Sequence, residues 1–223
     1  MQKLTEQSPE FIRAIAPYKA GKPVSDVVRE LGLDPNTVVK LASNENPLGL
    51  GEKAKAAIAQ AAMDLGRYPD ANGFALKAKL AARHGVKPEQ ITLGNGSNDV
   101  LELAAKAFLT QGTNAVFSQY AFAVYPLATQ GCGAQSNVVP AVYYTHDLEG
   151  FLKAIDAQTR VVFIANPNNP TGAMYSDELL KSLVQIAREH GLVIFADEVY
   201  DKVLYDGVKH TAMASLSDDV LTL

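Results

Sequence analysis

Two runs constrain this chain more than anything else in it. Val161-Val162-Phe163-Ile164-Ala165 and Leu192-Val193-Ile194-Phe195-Ala196 are apolar at every position. A strand needs that pattern when helices cover both faces of its sheet. Shorter runs at Ile91-Thr92-Leu93, Ala115-Val116-Phe117, 136–140 and from Val220 onward also read as strands. Helical patterns precede them at about 52–65 and 73–84 and lie between them at about 98–110, 121–130, 147–156 and 176–190. In 98–110, for example, Leu101, Ala105, Phe108 and Leu109 share one face. Alternation of this kind predicts βαβ units and an α/β fold, a mostly parallel sheet with helices on both faces.

The first 50 residues differ. Ser8-Pro9 and Pro23 read as helix starts, because proline suits a first turn. The stretch 41–51, LASNENPLGLG, reads as a loop. Residues 1–45 are expected to form an N-terminal arm and part of a small domain, and 46–223 the start of a larger one. The net charge of −4 offers no broad basic field for nucleic acid. One cysteine, Cys132, excludes a disulfide within the chain. No apolar run reaches the roughly 18 residues of a membrane span, and Met1-Gln2-Lys3-Leu4-Thr5-Glu6 lacks a signal-peptide core. A cytoplasmic protein without membrane or nucleic-acid partners is expected.

In open α/β sheets, ligands gather where the strands end. After the first run comes Gly94-Asn95-Gly96-Ser97-Asn98-Asp99, entering a helix. Glycines there admit close approach, and a helix N-terminus offers amides to an anion such as phosphate. A plain capped turn would use similar residues. The dinucleotide fingerprint fails twice: its third glycine is Asp99, and the next strand ends in Ser118-Gln119 rather than an acid. Phe122 follows the second strand as a stacking aromatic or a core one. Asn166-Pro167-Asn168-Asn169-Pro170-Thr171-Gly172 has two Asn-Pro steps, and one cis peptide is expected in a turn that holds an amide rigidly. Asp197-Glu198-Val199-Tyr200 places an acid directly after an apolar strand. Buried there, Asp197 needs a cation or donors; a cap or salt bridge is the alternative.

Together these parts describe a cup for a phosphorylated, planar, cationic ring, and pyridoxal phosphate (PLP) has that chemistry. Gly96, Ser97 and Asn98 suit its phosphate, and Phe122 suits its ring. Asp197 suits its protonated nitrogen, and Asn169 and Tyr200 suit its hydroxyl.

The motif Asn-Pro-x-Asn-Pro-Thr-Gly at 166–172, with Asp-Glu-x-Tyr at 197–200, resembles the fold-type-I PLP aminotransferases. The segments LASNENPLG (41–49), GRYPDANGFALKAKLA (66–81), TLGNGSNDVLELAAKAF (92–108) and QYAFAVYPLATQG (119–131) are similar to the histidinol-phosphate aminotransferase family. The resemblance implies a transaminase of histidine biosynthesis, moving an amino group from histidinol phosphate or a related donor to a 2-oxo acid such as 2-oxoglutarate. It implies the ligand roles just given, with Asp197, Tyr200 and Asn169 closest to the chemistry. It further implies a homodimer in which Tyr68 reaches the phosphate of the partner subunit's cofactor. Residues 46–223 then form the N-terminal portion of the PLP-binding large domain.

Two departures accompany the resemblance. Residues 172–210 look more like alanine-type aminotransferases, so an alanine-type or aromatic enzyme is an alternative. The chain ends at Leu223, before the family's Schiff-base lysine, its substrate-anchoring arginine and a strand that the family inserts between 91–93 and 220–223. Lys202 and Lys209 are expected to be surface charges. The expectation is therefore a fragment, or half of a split enzyme needing a partner chain, that binds PLP weakly and does not transaminate alone. His84, His146, His190 and His210 show no metal spacing, and no metal is expected. His84 and His190 each precede glycine and fit helix C-termini.

Overall fold

In this computed structural model, which describes residues 4–18, 21–41 and 43–223, the two apolar runs form the middle of one sheet. In chain order the elements are α1 (Glu10–Arg13), α2 (Val24–Leu31), α3 (Glu52–Ala61), α4 (Phe74–His84), α5 (Ser97–Phe108), β1 (Asn114–Ser118), α6 (Val124–Gly131), β2 (Gln135–Val139), α7 (Leu148–Ala154), β3 (Thr159–Ala165), α8 (Asp177–His190), β4 (Val193–Asp197) and β5 (Val220–Thr222). The strand order is β2-β1-β3-β4-β5, and every pairing is parallel. The α/β class is borne out.

The period of two along each strand divides the core. Val161 and Phe163 of β3, with Phe195 of β4 and Phe117 of β1, pack against Leu101, Ala104 and Ala105 of α5 and Val124, Tyr125 and Ala128 of α6. Val162 and Ile164, with Ile194, Ala196 and Val116, turn the other way, onto Phe151 of α7 and Leu180, Leu183 and Val184 of α8. Ser176 caps α8, its Oγ accepting from Leu179 N, and Gly191 ends it in the left-handed region. Asp177 and Glu178 lie in the first turn of α8 and Arg188 and His190 in its last, as the helix dipole favours. His84 likewise ends α4 ahead of Gly85.

The chain divides into two units, Met1–Ala16 with Thr92–Leu223, and Pro17–Ile91. The composition boundary at residue 45 falls inside the second unit. That unit holds α2, α3 and α4, and Ala81 is its only buried residue among those described. Leu41, Leu48, Met63, Leu65, Tyr68 and Phe74 are all strongly exposed there.

The strand expected at 91–93 does not form; these residues are extended but join no ladder. A strand exists through hydrogen bonds to a neighbour, and Ile91-Thr92-Leu93 has none in the sheet. Among the described residues β5 in turn pairs only with β4.

Candidate functional site

Parallel strands end together, so Ser118, Ala165 and Asp197 share one edge. The 12 residues of α5 span about 18 Å, close to the length of a five-residue strand. A short turn joins Phe108 to Asn114, so α5 runs antiparallel to β1 and its first turn stands at that same edge.

That first turn is built for close approach. A Cβ on Gly94 would meet Asp99 Cβ at 2.8 Å and Val100 Cγ2 at 3.0 Å. Gly96 has φ +88° and ψ 177°, a conformation essentially confined to glycine. Gly96 is the N-cap, and no side chain caps α5. Asp99 Oδ2 instead braces the turn from within, accepting from Asn95 N at 2.9 Å. The amides at Ser97 and Asn98 therefore head an uncapped helix, beside a glycine with open space around it. This is a donor set for an anion.

Asp197, the last residue of β4, is buried at 8% exposure. Its Oδ2 accepts from Tyr125 Oη at 2.6 Å, and its Oδ1 accepts weakly from Val199 N at 3.4 Å. Among the described residues no lysine, arginine or histidine forms an ion pair with it. Burial and the adjacent carboxylate push the Tyr125 phenol well above its ordinary range, so Tyr125 serves as a donor. The Tyr125 ring stacks on Phe163 at 4.7 Å, and Phe122 meets it edge-on at 6.1 Å. Phe122 is 39% exposed and is not a core aromatic.

The turn after β3 is tied to Asp197 directly: Asn166 N donates to the Asp197 carbonyl at 3.1 Å. Both Asn166-Pro167 and Asn169-Pro170 are cis, where one cis peptide was expected. Asn168, buried, accepts from Thr171 Oγ1 at 2.7 Å and closes the turn from inside. That leaves Asn169 exposed on its outside. Tyr200, half-buried, follows Asp197 by three residues. Gly96, Ser97, Asn98, Phe122, Asn169, Asp197 and Tyr200 thus belong to one unit and to the segments at one sheet edge. Tyr68 belongs to the other unit and is fully exposed.

Four residues beside these carry buried polar chemistry to which the sequence alone assigned no role. Tyr125 lay hidden in a helical pattern; its spacing of three from Phe122 was the available signal. Glu198 is 6% exposed and faces away from Asp197, its Oε1 accepting from Met213 N at 2.7 Å. Burial is the main reason its carboxyl is pushed up to about 7; the Met213 amide opposes this, and the Asp201 and Asp197 charges add to it. His210 Nε2 lies 3.1 Å from the Asn166 carbonyl and 3.8 Å from Glu198 Oε2. His146 Nε2 accepts from Ala165 N at 3.1 Å, and burial pulls its ring down to about 4. No group of metal-ligating side chains occurs among the described residues, and none of their helices is long and apolar enough to cross a membrane.

The family described as aminotransferase class I and II matches residues 36–223. This chain belongs to that family. Histidinol-phosphate aminotransferase 2 of Pseudomonas fluorescens (strain Pf0-1) is 59% identical over 189 residues, 85% of this chain and 51% of the relative. The histidinol-phosphate aminotransferase of Methylobacillus flagellatus is 49% identical over 219 residues, 98% of this chain and 59% of the relative. Among solved structures, an aminotransferase from Escherichia coli superposes with a TM-score of 0.77 at 28% identity, covering 97% of this chain and 56% of that one. Histidinol-phosphate aminotransferase from Sinorhizobium meliloti, in complex with pyridoxal-5'-phosphate, gives 0.76 at 26% identity, covering 87% and 51%. The chain spans about half the length of the curated relatives it matches. The resemblance to fold-type-I aminotransferases is borne out.

Proposed function

We propose that the chain forms the cofactor-facing portion of a PLP-dependent aminotransferase of histidine biosynthesis, transferring an amino group from histidinol phosphate to a 2-oxo acid such as 2-oxoglutarate. The observation that carries this reading is Asp197, a buried carboxylate with a phenol donor and no cation, at the edge where an uncapped glycine-headed helix begins. A ligand with a phosphate at one end and a ring N–H at the other answers both. Bound PLP supplies an electron sink for cleavage at a substrate's α-carbon. The chain's part is to bind and orient. Amides at Gly96, Ser97 and Asn98 hold the phosphate, and Phe122 covers the ring. Asn169 and Tyr200 donate to the ring hydroxyl oxygen. Asp197 keeps the ring nitrogen protonated, because a carboxylate nearby favours the charged form.

A homodimer is part of the proposal. Among its described residues the unit 17–91 buries only Ala81 while exposing Leu41, Leu48, Met63, Leu65, Tyr68 and Phe74. Apolar exposure of that extent marks an interaction surface, and Tyr68 is the residue assigned to the partner's cofactor phosphate. In this reading residues 1–45 are the arm and part of the small domain, 46–223 belong to the large domain, and the protein works in the cytoplasm.

Titration of the purified protein with PLP, followed by fluorescence and visible absorbance, tests the reading. Saturable uptake of one PLP per chain is expected, with Asp197→Asn weaker by at least about tenfold. Absence of saturable uptake, or equal uptake of dephosphorylated pyridoxal, would sink it. Similarity to the aromatic aminotransferase of Pyrococcus horikoshii OT3, 26% identical with a TM-score of 0.72, supports a second reading with an alanine-type or aromatic donor. Faster spectral conversion of bound PLP by alanine or aromatic amino acids than by histidinol phosphate would favour that second reading.

A further inference from the structure

Between β4 and β5 the chain makes an excursion, residues 199–212, in which no residue is fully buried. Tyr200 and the charged Lys202 and Lys209 lie on it. A stretch that is exposed or half-buried throughout has little packing to fix its course, so specific bonds at its ends weigh heavily in holding it. Glu198 and His210 supply them. Glu198, at the start, accepts through Oε1 from Met213 N, just past the end, so a single buried side chain spans the base of the excursion. His210, whose side chain is 8% exposed, reaches from near the end of the excursion to the carbonyl of Asn166. A carbonyl only accepts, so Nε2 of His210 carries the hydrogen. Asn166 is held from two further sides: its N–H donates to the Asp197 carbonyl, and its Oδ1 accepts from Tyr175 N at 3.2 Å. Asn166 also opens the turn that carries Asn169.

We propose that Glu198 and His210 are positioning residues that latch the Tyr200-bearing excursion onto Asn166, fixing Tyr200 and the Asn169 turn relative to Asp197. Neither touches the ligand; they act through Asn166, Met213 and the backbone. The adjacent acids divide the work. Asp197 turns toward Tyr125 on the α5–α6 side, and Glu198 toward Met213 on the α7–α8 side. This inference rests on the reading of the edge as a PLP site.

Two pairs of variants test it. His210→Gln keeps an N–H donor near the position of Nε2, whereas His210→Leu removes it at similar volume. Glu198→Gln keeps an oxygen for the Met213 N–H, whereas Glu198→Leu does not; this pair carries the test if His210→Leu fails to fold. The first readout needs no cofactor: the rate of tryptic cleavage after Lys202 and Lys209. The second is PLP affinity by equilibrium dialysis. In each Leu variant cleavage should quicken by about tenfold and PLP affinity fall by about five- to tenfold, as for loss of one buried hydrogen bond. In each Gln variant both should stay within about twofold of the wild type. Unchanged cleavage in the Leu variants, or Gln variants as impaired as Leu, overturns the latch. Unchanged PLP affinity in the Leu variants of a protein that binds PLP overturns the positioning role and leaves the functional reading standing. A wild-type protein that takes up no PLP overturns the functional reading and the positioning role with it, whatever the cleavage shows.

Discussion

Tyr125 donates its phenol to Asp197 across a 2.6 Å bond between two buried groups 72 residues apart in the chain. Deleting the hydroxyl leaves the carboxylate with one long bond from Val199 N. Tyr125→Phe keeps the ring stack on Phe163, so it opens no cavity of consequence. The expected cost is about 1–3 kcal/mol, the penalty for an under-satisfied buried acceptor. Urea unfolding at pH 7 measures it, and a loss under about 0.5 kcal/mol would contradict the assignment.

Glu198 gives stability a slope of definite sign. Its carboxyl is raised in the folded protein from the ordinary 4.5 to about 7, so between those values the folded state binds more protons than the unfolded one. Its contribution is complete below about pH 4.5 and disappears as pH rises through 7. Asp197, Asp201 and His210 are the charged or titratable groups around it. Glu198→Gln, which keeps the acceptor for Met213 N, removes this slope. The thermal midpoint of the variant should therefore gain on the wild type from pH 5 to pH 8. A constant difference over that range would refute the prediction.

His146 works in the opposite sense. Its folded-state value is about 4 against an ordinary 6.5, so the unfolded chain binds the extra proton between those values. Its contribution is present above about pH 6.5 and is lost as pH falls through 4. A shift of this size corresponds to at most about 3.5 kcal/mol. His146→Gln places an amide oxygen where Nε2 accepts from Ala165 N, and removes the titration. Stability of the variant should fall less than that of the wild type between pH 6.5 and 4.5. Because the two slopes oppose each other, the wild type should look flatter over this window than Glu198→Gln does.

Gly96 is tested by one methyl group. A Cβ there meets nothing within 4 Å, so any effect of Gly96→Ala arises from the backbone at φ +88°. About 1–3 kcal/mol of strain is expected. If the strain is relieved by shifting the turn, PLP affinity should fall by at least about tenfold, while the control ligand pyridoxal, lacking the phosphate, is little affected. Unchanged affinity for PLP would remove the phosphate from this turn.

The legible parts of the fold were those in which local pattern and burial coincide. β3 and β4 could be read directly, because their stretches 161–165 and 193–196, covered by helices on both faces, have no polar position to confuse the pattern. Helices α4 and α8 announced their ends through Gly85 and Gly191. The run at 91–93 misled because apolar composition allows a strand, but only a neighbour's hydrogen bonds make one. Asp197 was legible as a buried acid, since it follows Phe195-Ala196 without a break. Phe122 could not be assigned to core or surface from its neighbours, because exposure at a strand end depends on how the next helix packs.

The sequence by itself determined the period of each element and the chemistry that follows each strand: glycines and serine after 93, amides after 165, an acid and a phenol after 196. Those are properties of contiguous residues. The tertiary structure alone decided that Tyr125 would reach Asp197, that adjacent acids would serve opposite faces of the sheet, and that His210 would close on Asn166. Such pairings join residues separated by up to 72 positions, and they form only when parallel strands bring their ends to one edge and exclude water there.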